Sequence, residues 1–149
     1  MPITLFDSKL HEAVEFTPLR SGEVSMYVCG PTVQSSPHVG HLRSALVYDL
    51  WSRWFTHRGY AVTLIRNVTD IDDKILEKCS ESGEEWWALA ARVESEFQAV
   101  ADALNIARPA LQPRATGDIP AMVELIGTLI ERGHAYVAED GSGDVYFSV

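Results

Sequence analysis

The sequence predicts an α/β fold built on a parallel strand–helix–strand unit, and three consecutive segments carry that expectation. Val24, Met26 and Val28 alternate with Ser25 and Tyr27 and run into Cys29 and Gly30, the pattern of a short buried strand opening after a turn at Ser21 and Gly22. Between Val39 and His57, the residues Leu42, Ala45, Leu46, Leu50, Trp51, Trp54 and Phe55 fall at helical spacing, with Gly59 as the stop. Ala61 to Val68 reads as a second strand. That order makes the two strands neighbours in a parallel sheet, joined by a right-handed crossover. The connector before the helix, residues 31–37 (PTVQSSP), holds two prolines and two serines, which forbid helix and limit strand pairing.

Beyond this unit the chain turns mostly helical. A helix is expected to start over Thr69 to Lys78, and a longer one over Glu84 to Asn105, with Trp87, Ala91, Val93, Phe97, Val100 and Leu104 on its apolar side. Pro109 and Pro113 end it. Asp118 to Arg132 predicts another amphipathic helix closed by Gly133, and Ala135–Ala138 with Val145–Val149 predict a hairpin across residues 139–143. The last strand stops without a turn signal or polar tail, so a piece of a longer polypeptide is expected. Residues 1–83 are read as part of one domain and residues 84–149 as a helical and hairpin region.

At 149 residues, with 46% apolar and 22% charged residues, the chain is long enough for one ordinary globular core. Its net charge of −9 is spread without an acidic block, which argues against broad affinity for polyanions and makes any nucleic-acid contact local. No stretch is apolar enough to span a membrane and no basic-then-apolar leader opens the chain, so a cytoplasmic address and no membrane partner are expected. The two cysteines, Cys29 and Cys79, form neither a disulfide framework nor a paired metal knuckle.

The residues His38-Val39-Gly40-His41 stand where the proline-bearing loop delivers the chain into a helix. A helix's first turn presents unpaired N–H groups and a partial positive charge, which favours phosphate. Two imidazoles add donors, and Gly40 removes a side chain that would hold a triphosphate away from the backbone. The plainer reading makes one histidine a helix cap and the other a surface residue. The strand, Cys29-Gly30-Pro31-Thr32 and this tetrapeptide together resemble the HIGH signature of class I aminoacyl-tRNA synthetases, with Val39 where isoleucine is commoner. MYVCGPTV at 26–33, HVGHLRS at 38–44, RNVTDIDDKI at 66–75 and PRAT at 113–116 narrow the resemblance to cysteinyl-tRNA synthetases. The loop Gln34-Ser35-Ser36-Pro37 departs from that family's pattern.

The resemblance implies a Rossmann-like catalytic domain with a parallel sheet, of which this chain is the N-terminal part, followed by the start of an inserted connective α+β lobe. It implies ATP-dependent activation of L-cysteine to cysteinyl-adenylate and transfer to tRNA(Cys), the 149 residues being inactive by themselves. His38 and His41 would be catalytic; Thr32, His38, Gly40 and His41 would bind ATP with its Mg²⁺; Cys29, Gly30 and Thr69 would bind cysteine. Cys29 would also be one of four Zn²⁺ ligands, the others lying past Val149, as would a KMSKS-type loop and the main tRNA grip. A thiolate-bound zinc can take the substrate's sulfur, whereas a serine hydroxyl is a poor ligand. Taken alone, Cys29 reads as a small buried hydrophobe.

Among the other polar residues, Asp70, Asp72 and Asp73 fail the calcium-loop pattern and read as acids in a helix's first turn. Cys79 and the tryptophans Trp51, Trp54, Trp86 and Trp87 read as packing residues, and His57 and His134 as surface residues near helix ends. Arg108, Arg114 and Arg132 are candidate acceptor-stem contacts. Two alternatives stay open: a cysteine ligase that uses an amino-sugar acceptor, and a non-catalytic module that binds nucleotide or tRNA.

Overall fold

A computed structural model describes residues 2–149. Its centre is the predicted unit: β3 (Glu23–Val28), α1 (Val39–His57) and β4 (Ala61–Arg66). β3 and β4 pair in parallel from Glu23 opposite Ala61 to Val28 opposite Arg66. Two elements that the sequence pattern did not reveal precede it, β1 (Thr4–Asp7) and β2 (Glu12–Glu15), an antiparallel hairpin. Phe16, just after β2, packs its ring 5.0 Å from that of Phe55 on α1.

The sheet continues past its regular strands. Thr32 bridges Thr69 in parallel, with the Thr69 N–H donating to Pro31 O at 3.0 Å and the Val33 N–H to Thr69 O at 3.1 Å. On the other edge of β4, residues 110–115 run alongside as a third parallel segment: the Ala110 N–H donates to Leu64 O, Arg66 N–H to Leu111 O, Val68 N–H to Pro113 O and Ala115 N–H to Val68 O, all at 2.8–3.1 Å. Pro113 fits because only its carbonyl is called on.

α2 (Asp73–Ser82) starts later than expected: residues 69–72 are not helical, and Asp72 is the N-cap, accepting from the Lys74 N–H at 3.0 Å. Asp73 does lie in the first turn, but Asp70 does not. α3 (Trp86–Ala103) buries Leu89, Ala90, Val93, Phe97 and Ala101. The expected apolar side is therefore misphased, because Ala90 and Ala101 allow close approach to neighbouring elements while Trp87, Val100 and Leu104 turn outward. Leu89, Ala90 and Val93 pack with Val33, Val68 and Ile75; Phe97 and Ala101 pack with Ala45 and Ile106. Cys79 and Trp86 border the first of these clusters, a packing role for both, whereas Trp51, Trp54 and Trp87 are 40–59% exposed rather than core.

α4 (Ala115–Glu131) begins three residues before the predicted start and carries Pro120 inside it, yet buries none of its residues. β5 (Ala135–Val137) and β6 (Val145–Phe147) form the predicted hairpin. No helix among the described residues is long and apolar enough to cross a membrane.

Candidate functional site

The carboxyl end of β3, the loop after it and the first turn of α1 enclose a cavity of about 130 Å³, lined by Val28, Cys29, Gly30, Pro31, Gly40, His41, Ser44, Ala45, Arg66 and Phe97. Of the sequence-predicted site residues, Cys29, Gly30, Gly40 and His41 share this one lining. His38 reaches it through His41, the two rings stacked at 3.8 Å. Thr32 and Thr69 do not line it; they face each other across the parallel bridge one step further along the sheet.

His38 is the N-cap of α1, extended at φ −120° and ψ 173°. Its Nδ1 accepts from the Gly40 N–H at 3.0 Å, and the Nδ1 of His41 accepts a long 3.5 Å bond from the His38 N–H. The histidines thus form the reciprocal capping arrangement usually made by Ser or Thr with Glu. Two consequences follow. An Nδ1 that accepts cannot carry a proton, so the neutral rings are held as Nε2–H tautomers, each with one donor free for a ligand. The plain reading of one histidine as a helix cap holds for His38, His41 joins it in the cap, and the Nε2 edge of each ring stays unused among the described residues. Burial and the neighbouring His38 both push the His41 pKa down, which keeps that ring neutral.

Gly40 has a local reason beyond ligand access: a Cβ there would meet the His38 ring at 2.9 Å and displace the cap. Gly30 is tighter still. A Cβ would lie 2.7 Å from the backbone carbonyl carbon of Asn67, with the oxygen nearer. Its N–H donates to Asn67 Oδ1 at 2.8 Å, while Asn67 Nδ2 donates to Thr69 Oγ1 at 3.3 Å. One amide thereby fixes both Gly30 and Thr69.

Cys29 is exposed at the end of β3, with its Sγ 3.7 Å from Gly30 O. The expectation of a buried hydrophobe fails at this position, because β3 ends one residue earlier and delivers the thiol to the cavity wall. No group of three or more His, Cys, Asp or Glu that could hold a metal occurs among the described residues.

Four residues that sequence reasoning missed complete the site's frame. Arg66 and Asn67 stand where β4 ends, and the signal was two polar residues closing an apolar strand. Asp49, 3% exposed, accepts from Arg53 Nε at 2.7 Å and from the Ala107 N–H at 3.0 Å, tying α1 to the turn after α3. Asp70, 8% exposed, accepts from the Thr116 N–H at 3.0 Å and from the Thr116 hydroxyl, capping α4, whose own N-cap Arg114 makes no side-chain bond to the helix. Arg114 and Arg108 are engaged with Glu94 and Asp102.

Residues 15–149 match the family model for the catalytic domain of class I (C) tRNA synthetases. The chain is 63% identical to a cysteine–tRNA ligase of Leifsonia xyli subsp. xyli, over 100% of this chain and 32% of that protein. It is 57% identical to one of Renibacterium salmoninarum, again over 100% of this chain and 30% of the relative. It therefore spans about a third of the length of these curated relatives. Among solved structures, Mycobacterium tuberculosis methionyl-tRNA synthetase in complex with methionyl-adenylate superposes with a TM-score of 0.67 at 26% identity, over 75% of this chain and 23% of that one. A ternary complex of Agrobacterium radiobacter LeuRS with tRNA and LeuAMS gives 0.68 at 17% identity, over 80% of this chain and 16% of that one, a likeness of fold. With the parallel β3–α1–β4 unit, the histidine-capped helix and this match over nearly its whole length, the chain belongs to the class I (C) tRNA synthetase catalytic domain family.

Proposed function

We propose that these residues form the amino-acid-activating part of a longer cysteine–tRNA ligase, working in the cytoplasm on L-cysteine, ATP with Mg²⁺, and tRNA(Cys). The observation that carries this reading is the single cavity in which the Cys29 thiol, Gly30, Gly40 and His41 meet at the start of α1. In the activation step a carboxylate oxygen of cysteine attacks the α-phosphorus of ATP, the bond to the bridging oxygen breaks, and pyrophosphate leaves with that electron pair. His38 and His41 donate from Nε2 to phosphate oxygens whose charge grows as the bond breaks, and the N-terminal end of α1 adds its dipole. Gly40 leaves the helix start open to the nucleotide and Thr32 binds ATP from its bridge to Thr69, while Gly30 and Thr69, joined through Asn67, hold the amino acid.

Cys29 would supply one ligand to zinc, whose chemistry when bound is to accept the substrate thiolate and so to disfavour serine. The remaining ligands would come from outside these residues, as would most of the tRNA contact. The two-part division at residue 84 belongs to the same proposal, although the packing of α3 on α1 favours a boundary nearer Ala115. The names of the relatives favour tRNA over an amino sugar as acceptor.

The test is His41→Asn in the full-length enzyme. Removal of one such donor raises the barrier by about 3–4 kcal/mol, on the order of a hundredfold or more in kcat for adenylate formation, with little change in KM for cysteine. Normal turnover per folded molecule, with only stability lost, refutes the catalytic role. Charging of tRNA against transfer to an amino sugar decides the acceptor.

A further inference from the structure

The loop that leads into α1 has little backbone restraint of its own. The Val33 N–H donates to Thr69 O and the Gln34 N–H to Thr32 O, after which residues 35–37 make no backbone–backbone hydrogen bond among the described residues. Side chains of two later helices hold it instead. Lys78 Nζ on α2 donates to Gln34 O at 3.1 Å, and the Ser36 hydroxyl donates to Glu96 Oε2 on α3 at 2.6 Å. Glu96 is fixed in turn: Arg92 Nη1 donates to its other oxygen at 3.2 Å, while Arg92 Nη2 donates to Glu84 Oε2 at 2.9 Å. The Ser36 hydroxyl, ahead of Arg92, holds the Glu96 carboxyl below its ordinary range, so the acceptor is an anion at neutral pH.

The tie lies two residues before His38, with little slack between them. The Pro37 ring fixes φ near −65°, and the residue before a proline is confined to extended backbone, so a shift of Ser36 carries through to His38. His38 makes both halves of the cap, its Nδ1 accepting from the Gly40 N–H and its own N–H donating to His41 Nδ1. The neighbour of Glu96 on α3, Phe97, lines the cavity and packs with Ala45 of α1. Two adjacent residues of α3 thus meet the loop ahead of the histidines and the cavity wall beside them.

We propose that Glu96 is a positioning residue for the activation step, setting through Ser36 where His38 and His41 stand at the cavity. The inference rests on the reading of this cavity as the activation site. Glu96 acts only through the loop: it orients two donors, and a displacement of about 1 Å in such groups can cost on the order of a hundredfold in rate. A tie at the surface adds little to global stability, so its loss is read in turnover before it is read in melting.

The experiment measures pyrophosphate exchange and thermal melting on the full-length enzyme carrying Ser36→Ala, Glu96→Ala, both together, or Glu94→Ala, an acid of the same helix that is bonded to Arg114 instead. The expected result is a fall in kcat of about 10-fold in each of the first two, a double variant no slower than either, and KM for cysteine within about twofold. Glu94→Ala should keep the wild-type rate, and melting temperatures should stay nearly unchanged. Full turnover in Ser36→Ala or Glu96→Ala, a double variant whose loss is the product of the two single losses, or an equal loss in Glu94→Ala overturns the proposal. So does an effect confined to melting temperature. A wild-type enzyme that forms no cysteinyl-adenylate would instead overturn the functional reading beneath it.

Discussion

Substituting Gly30 by alanine tests the construction of the site most directly. The added Cβ would stand 2.7 Å from the Asn67 carbonyl carbon, closer than real Cβ atoms come, and the obstacle is backbone, which cannot rotate aside. β3 and β4 must part at their carboxyl ends, and such overpacking costs about 1–3 kcal/mol. The separation also breaks the 2.8 Å bond from the Gly30 N–H to Asn67 Oδ1, leaving a half-buried donor orphaned at about another 1–3 kcal/mol. The sum, about 2–6 kcal/mol, is a large share of the roughly 5–15 kcal/mol that holds a domain together. The assay is the urea midpoint of the full-length protein followed by tryptophan fluorescence. Asn67→Ala, which removes the bond without the clash, should lose less than Gly30→Ala. Gly127→Ala, at a helical position with open space around it, should gain about 0.5–1 kcal/mol. A Gly30→Ala protein within about 0.5 kcal/mol of wild type, the ordinary scatter of surface changes, would refute the close approach of the two strand ends.

Further outcomes follow from the same geometry. His38→Ala removes the N-cap of α1 and should destabilise by about 0.5–2 kcal/mol in thermal melts, with His38→Asn recovering most of it. Because the His41 pKa lies below its unfolded value of 6.5, the unfolded chain binds that proton first. Its contribution to stability is complete above pH 6.5 and declines as pH falls from there through the lowered folded value; a His41→Gln protein should show a flatter melting profile over that window. Asp70→Ala should fray the start of α4, read as faster amide exchange at Thr116 and Gly117, and Thr116→Val should add little on top of it because both changes remove the same contact. The 149-residue chain should bind zinc weakly in a competition titration, since one thiolate is a poor holder, and tight stoichiometric binding would contradict the ligand count.

What the sequence disclosed was the part governed by periodicity. β3, α1 and β4 each alternate or recur at the spacing of their element, and the hairpin of β5 and β6 has its glycines at the turn. What stayed hidden depends on long-range fit. Residues 110–115 join the sheet despite Pro109 and Pro113, since the visible prolines suggested a break and the pairing needs only the carbonyl of the second. On α3, large apolar residues outweighed alanines in the reading, yet Ala90 and Ala101 face inward because little room exists there. At the site, Cys29, Gly30, Gly40 and His41 were legible because a strand end and a helix start must be neighbours in a strand–helix–strand unit. Arg66, Asn67 and Asp70 were not, because their partners lie 31 or more residues away in the chain for Phe97, 37 for Gly30 and 46 for Thr116. Only the folded register brings those together.

The arrangement of β3 bears on how this polypeptide behaves in a tube. β3 is bonded along its β4 side, and among the described residues no strand occupies its other side. Past Glu23, whose N–H already donates to Arg20 O at 3.1 Å, its amide and carbonyl groups there form a short template for a neighbour. At rising concentration the 149-residue polypeptide should self-associate through that template, with its net charge of −9 as the main force opposing the encounter. Salt, by screening that repulsion, should hasten clumping, so dilute low-salt buffer is the condition for keeping single molecules apart.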